Sequence, residues 1–326
     1  MSGDLRGLPG AWYRGAWWLW LLRPIEMVFR GGAALRRQLY RSGLFTVARP
    51  ERPVVVVGNI TVGGTGKTPI VIALVEGLQK QGLHPGVVSR GYGASAPESP
   101  LIVTSSCEAG LCGDEPLLIV RRTGCPCVIS PSRPDAVRTL LAAFDVDIVI
   151  SDDGLQHYAL ARDLEIAVVD ARVGLGNGFC LPAGPLREPP ARLGEVDFVL
   201  YRGSKDPVNG VTYESEGLVN LRGGERLPLA PGALGPEVHA VAGIGQPQQF
   251  FDSLRAAGFV VEPHSFPDHH RYTAADFAGL TDKPVIMTEK DAVKCAGFVG
   301  DSSWYLRISA RLPQALVDRV AALAVP

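Results

Sequence analysis

Hydrophobic residues along the chain form short continuous runs that alternate with longer amphipathic stretches. The run at 54–57 consists of four valines, which is typical of a strand buried on both faces of a parallel sheet. Further strands are predicted at 86–89, 101–104, 127–130, 146–151, 164–170 and 198–201, and helices at 68–81, 114–122 and 133–143. Strands that alternate with helices in this way indicate an α/β fold with a mostly parallel sheet.

The pattern changes over residues 203–236, where Gly and Pro are frequent and two extended runs occur, at 211–214 and 217–221. These features predict a β-ribbon or a linker. In a second α/β series, strands are predicted at 238–242, 259–262, 284–288 and 304–309, and helices at 247–257 and 312–323. We therefore predict a division near residue 215, with a helical segment at 1–49, a core domain at 50–215 and a smaller α/β domain at 216–326.

The N-terminal segment combines tryptophans with arginines. Its apolar stretch has eight residues between Arg14 and Arg23, which as a helix cover about 12 Å of the roughly 30 Å of bilayer hydrocarbon. This stretch therefore cannot span a membrane. Beyond it, Arg23, Arg30 and Arg37 recur every seven residues on one face of a predicted helix, and arginine together with tryptophan favours a membrane–water interface.

Two interpretations of this segment remain open: association with a membrane surface, or packing of the helix on its own domain with solvated arginines. Gly31 and Gly32 weaken the first interpretation because glycines can break a helix. The charge distribution favours it, since residues 1–52 hold nine Arg and three acidic residues for a net charge of +6. The remaining residues carry a net charge of −7. We predict contact with anionic lipids and none with nucleic acid.

The overall composition is that of a folded globular protein, with 46% hydrophobic and 20% charged residues. Six cysteines are scattered along the sequence without a Cys-x-x-Cys pair, so reduced thiols are expected and a zinc site of that kind is not predicted. Nothing in the sequence indicates an obligate protein partner.

A glycine-rich loop joins the 54–57 strand to the helix that follows. It reads Gly63-Gly64-Thr65-Gly66-Lys67-Thr68. A strand before and a helix after are the context of a phosphate-binding P-loop, in which glycines let backbone amides wrap an anion. Lys67 is predicted to reach the β- and γ-phosphates, and Thr68 to bind magnesium. The first position of the general pattern holds Thr61 instead of Gly, and the alternative interpretation is a glycine-rich turn.

A pair of acidic residues, Asp152 and Asp153, follows the predicted strand at 146–151. Carboxylates at the carboxyl end of a strand face the crevice in which open α/β sheets bind ligands. The pair therefore predicts the magnesium ligands that a P-loop requires. The alternative is an acidic turn completed by Gly154.

Three further groups of polar residues lie in predicted loops or at a helix start. Asp114 opens a helix and is either an N-cap or the base that takes a proton from an attacking hydroxyl. Arg187 and Glu188 lie in a loop rich in Gly and Pro, where a charged pair is either solvated or functional. His269 and His270 follow Asp268, and adjacent histidines cap a turn more often than they bind a metal.

In order and together, these motifs resemble the tetraacyldisaccharide 4'-kinase family, the lipid A 4'-kinases. The resemblance covers nearly the whole chain. Besides the P-loop and Pro69, it rests on Ser89-Arg90-Gly91-Tyr92-Gly93, Gly113-Asp114-Glu115-Pro116, Asp152-Asp153-Gly154-Leu155-Gln156-His157, Gly184-Pro185-Leu186-Arg187-Glu188, Asp268-His269-His270 and Thr288-Glu289-Lys290-Asp291. It implies a kinase that uses ATP and Mg²⁺ to phosphorylate the 4'-hydroxyl of a lipid A disaccharide precursor, at the cytoplasmic face of the inner membrane of a Gram-negative bacterium.

The same resemblance implies a fold and residue roles. The fold is a P-loop NTPase-like parallel-sheet domain with a smaller α/β C-terminal domain, a β-ribbon connection and an N-terminal amphipathic helix. Asp114 matches the catalytic aspartate, and His269, in preference to His270, matches the histidine that works with it. Lys67 is expected to act in catalysis too. The implied nucleotide-binding residues are Gly63, Gly64, Thr65, Gly66, Lys67, Thr68 and Arg187, and the implied metal ligands are Thr68, Asp152, Asp153 and Glu188. Arg90 and Arg133 are weaker candidates for phosphate contacts.

The P-loop by itself leaves other classes of protein open. A membrane-associated NTPase switch or metallochaperone would hydrolyse nucleotide without an acceptor. A kinase for a soluble sugar would leave the N-terminal segment without a purpose. The Asn-Lys-x-Asp motif of regulatory GTPases is absent from the sequence.

Overall fold

The structure, a computed structural model, describes residues 8–64, 66–91 and 100–324. Thirteen strands occur in this part of the chain: β1 (Val54–Gly58), β2 (Pro85–Ser89), β3 (Leu101–Val103), β4 (Cys127–Ile129), β5 (Ile148–Asp152), β6 (Leu164–Asp170), β7 (Phe198–Arg202), β8 (Gly210–Asn220), β9 (Arg226–Leu227), β10 (Glu237–Ala242), β11 (Val260–Ser265), β12 (Val285–Thr288) and β13 (Ser303–Arg311). The α-helices are α1 (Leu8–Arg14), α2 (Arg23–Arg41), α3 (Lys67–Lys80), α4 (Ala109–Cys112), α5 (Asp114–Thr123), α6 (Arg133–Ala143), α7 (Pro247–Ala256), α8 (Glu289–Cys295) and α9 (Gln314–Ala321).

The strands form one sheet in which β1 lies between β5 and β6 and runs parallel to both. The strand order is β11-β10-β12-β13-β8-β7-β6-β1-β5-β2-β4-β3, with β9 paired to β8. Three pairs are antiparallel, β3 with β4, β8 with β13 and β8 with β9, and the other pairs of the described sheet are parallel. This mixed, mostly parallel sheet confirms the predicted α/β class.

Helices cover both faces of the central strands because those strands are apolar on both sides. All five residues of β1 are buried, and α3 packs Ile70, Leu74 and Leu78 into the same core. Helix α9 adds Leu316 and Val320 to this core. The end of the chain therefore packs against its N-terminal half.

Strand β8 carries the chain from one half of the sheet to the other. Its first residues pair in parallel with β7, and most of its length pairs antiparallel with β13. The two runs predicted at 211–214 and 217–221 are thus one strand, with a break in register at Glu216. Such a break is a β-bulge. Residue 215 lies inside this strand, and the division of the chain into domains stays a prediction.

Most predicted strands and helices are confirmed to within a few residues, but the prediction did not include α4 or α8. A signal for α8 is present in the sequence. Thr288 caps the helix by accepting a hydrogen bond from the backbone amide of Asp291, and Ser/Thr followed three residues later by an acidic residue marks a helix start.

The N-terminal segment is helical, and Gly31 and Gly32 do not interrupt α2. Glu26 on α2 is fully buried, forms ion pairs with Arg23 and Arg30, and accepts a hydrogen bond from the backbone amide of Cys180. These contacts attach α2 to the rest of the protein. Among the described residues, no helix is long and apolar enough to cross a membrane.

Large apolar side chains remain exposed on this segment, while Arg37 and Arg41 contact Glu195. The alternative interpretation left these arginines solvated only, whereas Arg23 and Arg30 pair with Glu26, and Arg37 and Arg41 pair with Glu195. The exposed large apolar residues of this segment are Leu8, Trp17, Trp18, Trp20, Leu21, Ile25, Met27, Val28, Phe29, Leu35, Leu44, Phe45 and Val47.

Candidate active site

The glycine-rich loop follows β1 and ends where α3 begins at Lys67. Gly66 has a φ of +73°, in the left-handed region that favours glycine, and a Cβ added there would lie 2.9 Å from Oη of Tyr213. The Tyr213 hydroxyl donates a hydrogen bond to the carbonyl of Gly66. Gly63 and Gly64 have open space where a Cβ would be, so a ligand can approach their backbone closely. Thr65 lies outside the described residues.

Lys67 lies between two polar side chains of neighbouring strand ends. Its Nζ is 3.3 Å from Oδ1 of Asn59 and 3.1 Å from Oδ1 of Asp153. Arg187 donates to the other Asp153 oxygen at 3.0 Å. Burial alone would raise the pKa of Asp153, but Lys67 and Arg187 outweigh it and hold that pKa well below its ordinary value. The structure thus brings three predicted residues, Lys67, Arg187 and Asp153, into direct contact.

Asp152 ends β5 and is almost completely buried, next to β1 in the register that pairs it with Val57. Burial, together with the negative charges of Glu115 and Asp153, raises its pKa to about 7, although Lys67 and Arg133 act in the opposite direction. Within the described structure, Oδ1 of Asp152 has no hydrogen-bond partner. A buried carboxylate oxygen without a donor is what a bound divalent cation would satisfy, and oxygen ligands suit Mg²⁺. The residues present therefore fit the ion.

Glu188 is also buried, but its oxygens already have donors. Tyr158 donates to one of them, and Nε2 of Gln156 donates to the other at 2.9 Å. Oε1 of the same Gln156 lies 3.4 Å from Arg187, so Gln156 links Glu188 to the arginine that pairs with Asp153. A direct bond from Glu188 to a metal stays a prediction, as does one from Thr68.

Asp114 and His269 meet although 155 residues separate them in the sequence. Asp114 is the first residue of α5 and is 4% exposed, and Nδ1 of His269 lies 3.0 and 3.2 Å from its two carboxylate oxygens. His270 instead contacts Asp276 and stacks on the ring of Phe266. The choice of His269 over His270 as the partner of Asp114 agrees with this geometry.

The charges around this pair favour ionised Asp114. Burial alone would raise the pKa of Asp114, but the hydrogen bond from His269 and the charges of Lys290 and Lys294 lower it below its ordinary value. The hydrogen bond to Asp114 raises the pKa of His269. Lys290 also contacts Glu115 at 3.0 Å and Nε2 of His269 at 3.3 Å. The pair therefore lies in a dense network of opposite charges.

The phosphate loop and the Asp114–His269 pair belong to one site. A Cβ added at Gly245, in the loop after β10, would lie 4.0 Å from the Gly64 amide nitrogen and 3.6 Å from Oδ2 of Asp268. Asp268 directly precedes His269. The pair also borders a cavity of about 500 Å³ whose cationic lining residues are Arg121, Arg271 and Lys294.

Several residues of this site were not among the predicted ones. Asn59 contacts Lys67, and Gln156 contacts Arg187. The ammonium groups of Lys290 and Lys294 lie 3.9 and 3.8 Å from the Asp114 carboxylate. Gln156 and Lys290 stand within the quoted motifs, and Asn59 stands two residues after the predicted strand. No local pattern could identify Lys294, because its importance depends on a tertiary contact. Arg133 is buried and donates to the Asp152 carbonyl at 2.6 Å, so its contacts are structural.

Comparison with known proteins identifies the family. The family model for tetraacyldisaccharide-1-P 4'-kinase (LpxK) matches residues 18–324. A tetraacyldisaccharide 4'-kinase of Pseudomonas aeruginosa PAO1 is 52% identical over 306 residues, which are 93% of this chain and 92% of the relative. The chain belongs to the tetraacyldisaccharide 4'-kinase family.

Further members agree with this assignment. The tetraacyldisaccharide 4'-kinase of Azotobacter vinelandii is 51% identical over 311 residues, which cover 94% of this chain and 93% of the relative. A crystal structure of LpxK from Aquifex aeolicus in complex with ATP has a TM-score of 0.76 and 27% identity, and the match covers 93% of this chain and 99% of that one. The resemblance inferred from the motifs is confirmed.

The buried carboxyl of Asp152 leads to a prediction about pH. Its folded-state pKa of about 7 exceeds the ordinary 3.8, so the folded protein binds more protons than the unfolded chain between these values. The contribution of Asp152 to the free energy of unfolding is fully present below about pH 4, where its carboxyl is protonated in both states. This contribution is lost as the pH rises toward 7. The parent should therefore lose stability between about pH 5 and pH 8, whereas Asp152→Asn should not, because an amide does not titrate in this range. In EDTA, we expect the melting temperature of Asp152→Asn to rise relative to that of the parent over this interval. Thermal denaturation measures this difference.

Asp206→Asn is the matched control for that series. The backbone amides of Asn209 and Val208 donate to the Asp206 carboxylate and lower its pKa, and no histidine pairs with it in the described structure. Asp206 therefore stays ionised in both states above about pH 5, and the difference between Asp206→Asn and the parent should not change with pH. If the melting-temperature difference between Asp152→Asn and the parent also stays constant with pH, the raised pKa of Asp152 is contradicted.

Proposed function

We propose that this chain transfers the γ-phosphoryl group of ATP to the 4'-hydroxyl of a tetraacyldisaccharide 1-phosphate, with Asp114 as the base and His269 as its positioning residue. Membership of the tetraacyldisaccharide 4'-kinase family gives the reaction. The roles of these two residues rest on the contact between Asp114 and His269. Only the loop that contains Gly245 lies between this contact and the glycine-rich loop at Gly64.

The nucleotide side of the proposal rests on the phosphate loop. Backbone amides at 63–66 and the start of α3 would hold the β- and γ-phosphates, and Lys67 would neutralise the γ-phosphate. To do so, the Lys67 ammonium exchanges its contact with Asp153 for one with the phosphate. Arg187, which shares Asp153 with Lys67, is placed to keep that carboxylate paired.

Asp152 and Thr68 are the residues that would hold Mg²⁺, with Asp153 beside them. The bound ion would offset the negative charge on the phosphate oxygens during transfer. Without a cation, the raised pKa of Asp152 favours its protonated form near neutral pH. A cation bound here would lower this pKa and keep the carboxyl ionised, because a carboxyl group binds metal in its deprotonated form.

Asp114 acts on the acceptor. As the sugar oxygen forms its bond to the γ-phosphorus, the bond to ADP breaks and the hydroxyl proton moves to the Asp114 carboxylate. His269 holds this carboxylate in one orientation, and Lys290 and Lys294 keep it ionised beforehand. The cavity next to the pair has room for a sugar ring, and its cations Arg121, Arg271 and Lys294 suit an acceptor that carries a phosphate.

The N-terminal segment is proposed to dock on the cytoplasmic face of the inner membrane. Its exposed tryptophans and aliphatic residues are concentrated between residues 17 and 35, and arginines lie among and beside them. The acyl chains of the acceptor cannot leave a bilayer cheaply, at about 0.8 kcal/mol per CH₂. An enzyme bound to the surface would reach the sugar head group without extracting the lipid.

The reaction is tested directly with Asp114→Asn. We expect kcat for transfer from labelled ATP to a tetraacyldisaccharide 1-phosphate in mixed micelles to fall about 100- to 10,000-fold, the usual contribution of a general base. The affinity for ATP should stay the same, since Asp114 lies on the acceptor side. Asp301→Asn, at an exposed position, is the control. Labelled phosphate released without labelled lipid by the parent would favour an NTPase switch instead.

Adjacent histidines provide a matched pair of variants. His269→Gln removes the main partner that lowers the pKa of Asp114, so the acid limb of the kcat/KM profile should move to higher pH. His270→Gln should leave that limb in place, because His270 contacts Asp276 and not Asp114. Equal shifts in both variants would refute a specific role for His269.

Membrane docking is tested by the triple variant Trp17→Ser/Leu21→Ser/Val28→Ser. All three side chains are at least 72% exposed, so the fold should tolerate the change. Each large apolar side chain contributes about 1.5–3 kcal/mol when buried, so cosedimentation with phosphatidylglycerol vesicles should weaken at least tenfold. Val208→Ser/Val260→Ser changes exposed valines elsewhere and should bind vesicles like the parent. Unchanged binding of the triple variant would remove the basis for docking.

A further inference from the structure

Two histidines and a glutamate meet on the edge strand β11 and its neighbour β10, outside the kinase site. His239 on β10 is the register partner of Glu262 on β11, and His264 lies two residues further along β11. Residues two apart on a strand, and register partners on neighbouring strands, point to the same face of a sheet. The strands thus bring two imidazoles and a carboxylate to one patch.

The distances between these side chains are those of metal ligands. Nδ1 of His239 lies 3.1 Å from Nε2 of His264 and 3.6 Å from Oε2 of Glu262. One ligand atom from each of the three residues lies within 4.8 Å of the others. Two imidazole nitrogens on one tetrahedral zinc ion are about 3.3 Å apart, because each Zn–N bond is about 2.0–2.1 Å long.

A fourth residue orients the buried histidine. His239 is 3% exposed, and its other ring nitrogen, Nε2, lies 2.8 Å from Oδ1 of Asp282, in the turn before β12. A proton on Nε2 that is donated to Asp282 leaves Nδ1 with a lone pair toward His264 and Glu262. Histidines that bind metals commonly donate their second N–H to a carboxylate in this way.

The donor set selects the kind of ion. Two imidazoles and one carboxylate suit zinc and similar divalent transition metals, whereas Mg²⁺ prefers oxygen ligands alone. Lys283 contacts Oε2 of Glu262 at 2.9 Å, and Oε1 faces His264 at 4.0 Å. Glu262 can therefore bind an ion through Oε1 without losing Lys283.

We propose that His239, His264 and Glu262 form a binding site for a divalent transition-metal ion such as zinc, with Asp282 as the residue that positions His239. The ion would connect the edge strand β11 to β10 and, through Asp282, to the turn before β12. The site is independent of the proposed kinase chemistry, since none of these residues contacts the phosphate loop or the Asp114–His269 pair in the described structure.

The test uses the full chain without a histidine tag. Zinc titration by calorimetry should show binding that His264→Gln and His239→Gln abolish at this site. Asp282→Asn should weaken it about 10- to 100-fold, the usual effect of removing a carboxylate behind a ligating histidine. Zinc should also raise the melting temperature of the parent more than that of His264→Gln. Visible absorption with Co²⁺ in place of zinc would show nitrogen ligation directly.

His84→Ala, which changes an exposed histidine paired with Asp147, is the control and should bind zinc like the parent. Near-parental kinase activity of His264→Gln would show that the variant is folded. Two results would overturn the proposal. One is the absence of zinc binding to the parent, which would leave only a hydrogen-bonded chain from His264 through His239 to Asp282. The other is binding that survives in His264→Gln and is lost in His269→Gln, which would place the ion at the Asp114 site.

Discussion

The active site depends on the packing of helix α5 against helix α8, which a buried arginine maintains. Arg122, near the end of α5, donates to Glu289 at the start of α8 at 2.7 Å and to the carbonyl of Ile308 on β13 at 3.1 Å. Its side chain is 4% exposed, and Glu76 and Glu216 lie within 4 Å of it. Removing one partner of a buried ion pair costs about 3–5 kcal/mol, so these two helices are tightly coupled. Asp114 begins α5, and α8 supplies the lysines around it, so this contact fixes the charges that keep Asp114 ionised.

Two neighbouring aspartates illustrate how the fold assigns different states to the same kind of side chain. Asp153 meets Lys67 and Arg187 and has a depressed pKa, whereas Asp152 is buried beside other carboxylates and has a raised one.

Asp153 and His269 also share a left-handed backbone, with φ of +50° and +59°. Such conformations outside glycine cost about 1–3 kcal/mol and concentrate at functional sites. The strain therefore coincides with the residues that the proposed chemistry uses.

The sequence was sufficient for the α/β class, the phosphate loop and the acidic pair, because each depends on local order: an apolar strand, then a loop of defined composition. It could also nominate Asp114 and His269, through a family resemblance. It could not show that these two residues touch, since the contact closes over 155 residues and depends on α5, α8 and the loop after β11. Lys294 was missed for the same reason. The extended runs at 211–214 and 217–221 were predicted as two and form one strand, because a bulge in a continuous strand and a gap between two strands leave the same local pattern.

The continuity of β8 has a practical consequence for anyone who dissects this enzyme. A fragment that starts at residue 216 would lose the first part of β8, which pairs with β7 and supplies Tyr213 to the phosphate loop. It would also expose the apolar side of α9, whose Leu316 and Val320 belong to a core built mainly by the other half. Unpaired sheet edges and bared apolar faces promote aggregation. The two halves are better studied by substitution within the intact polypeptide than by truncation.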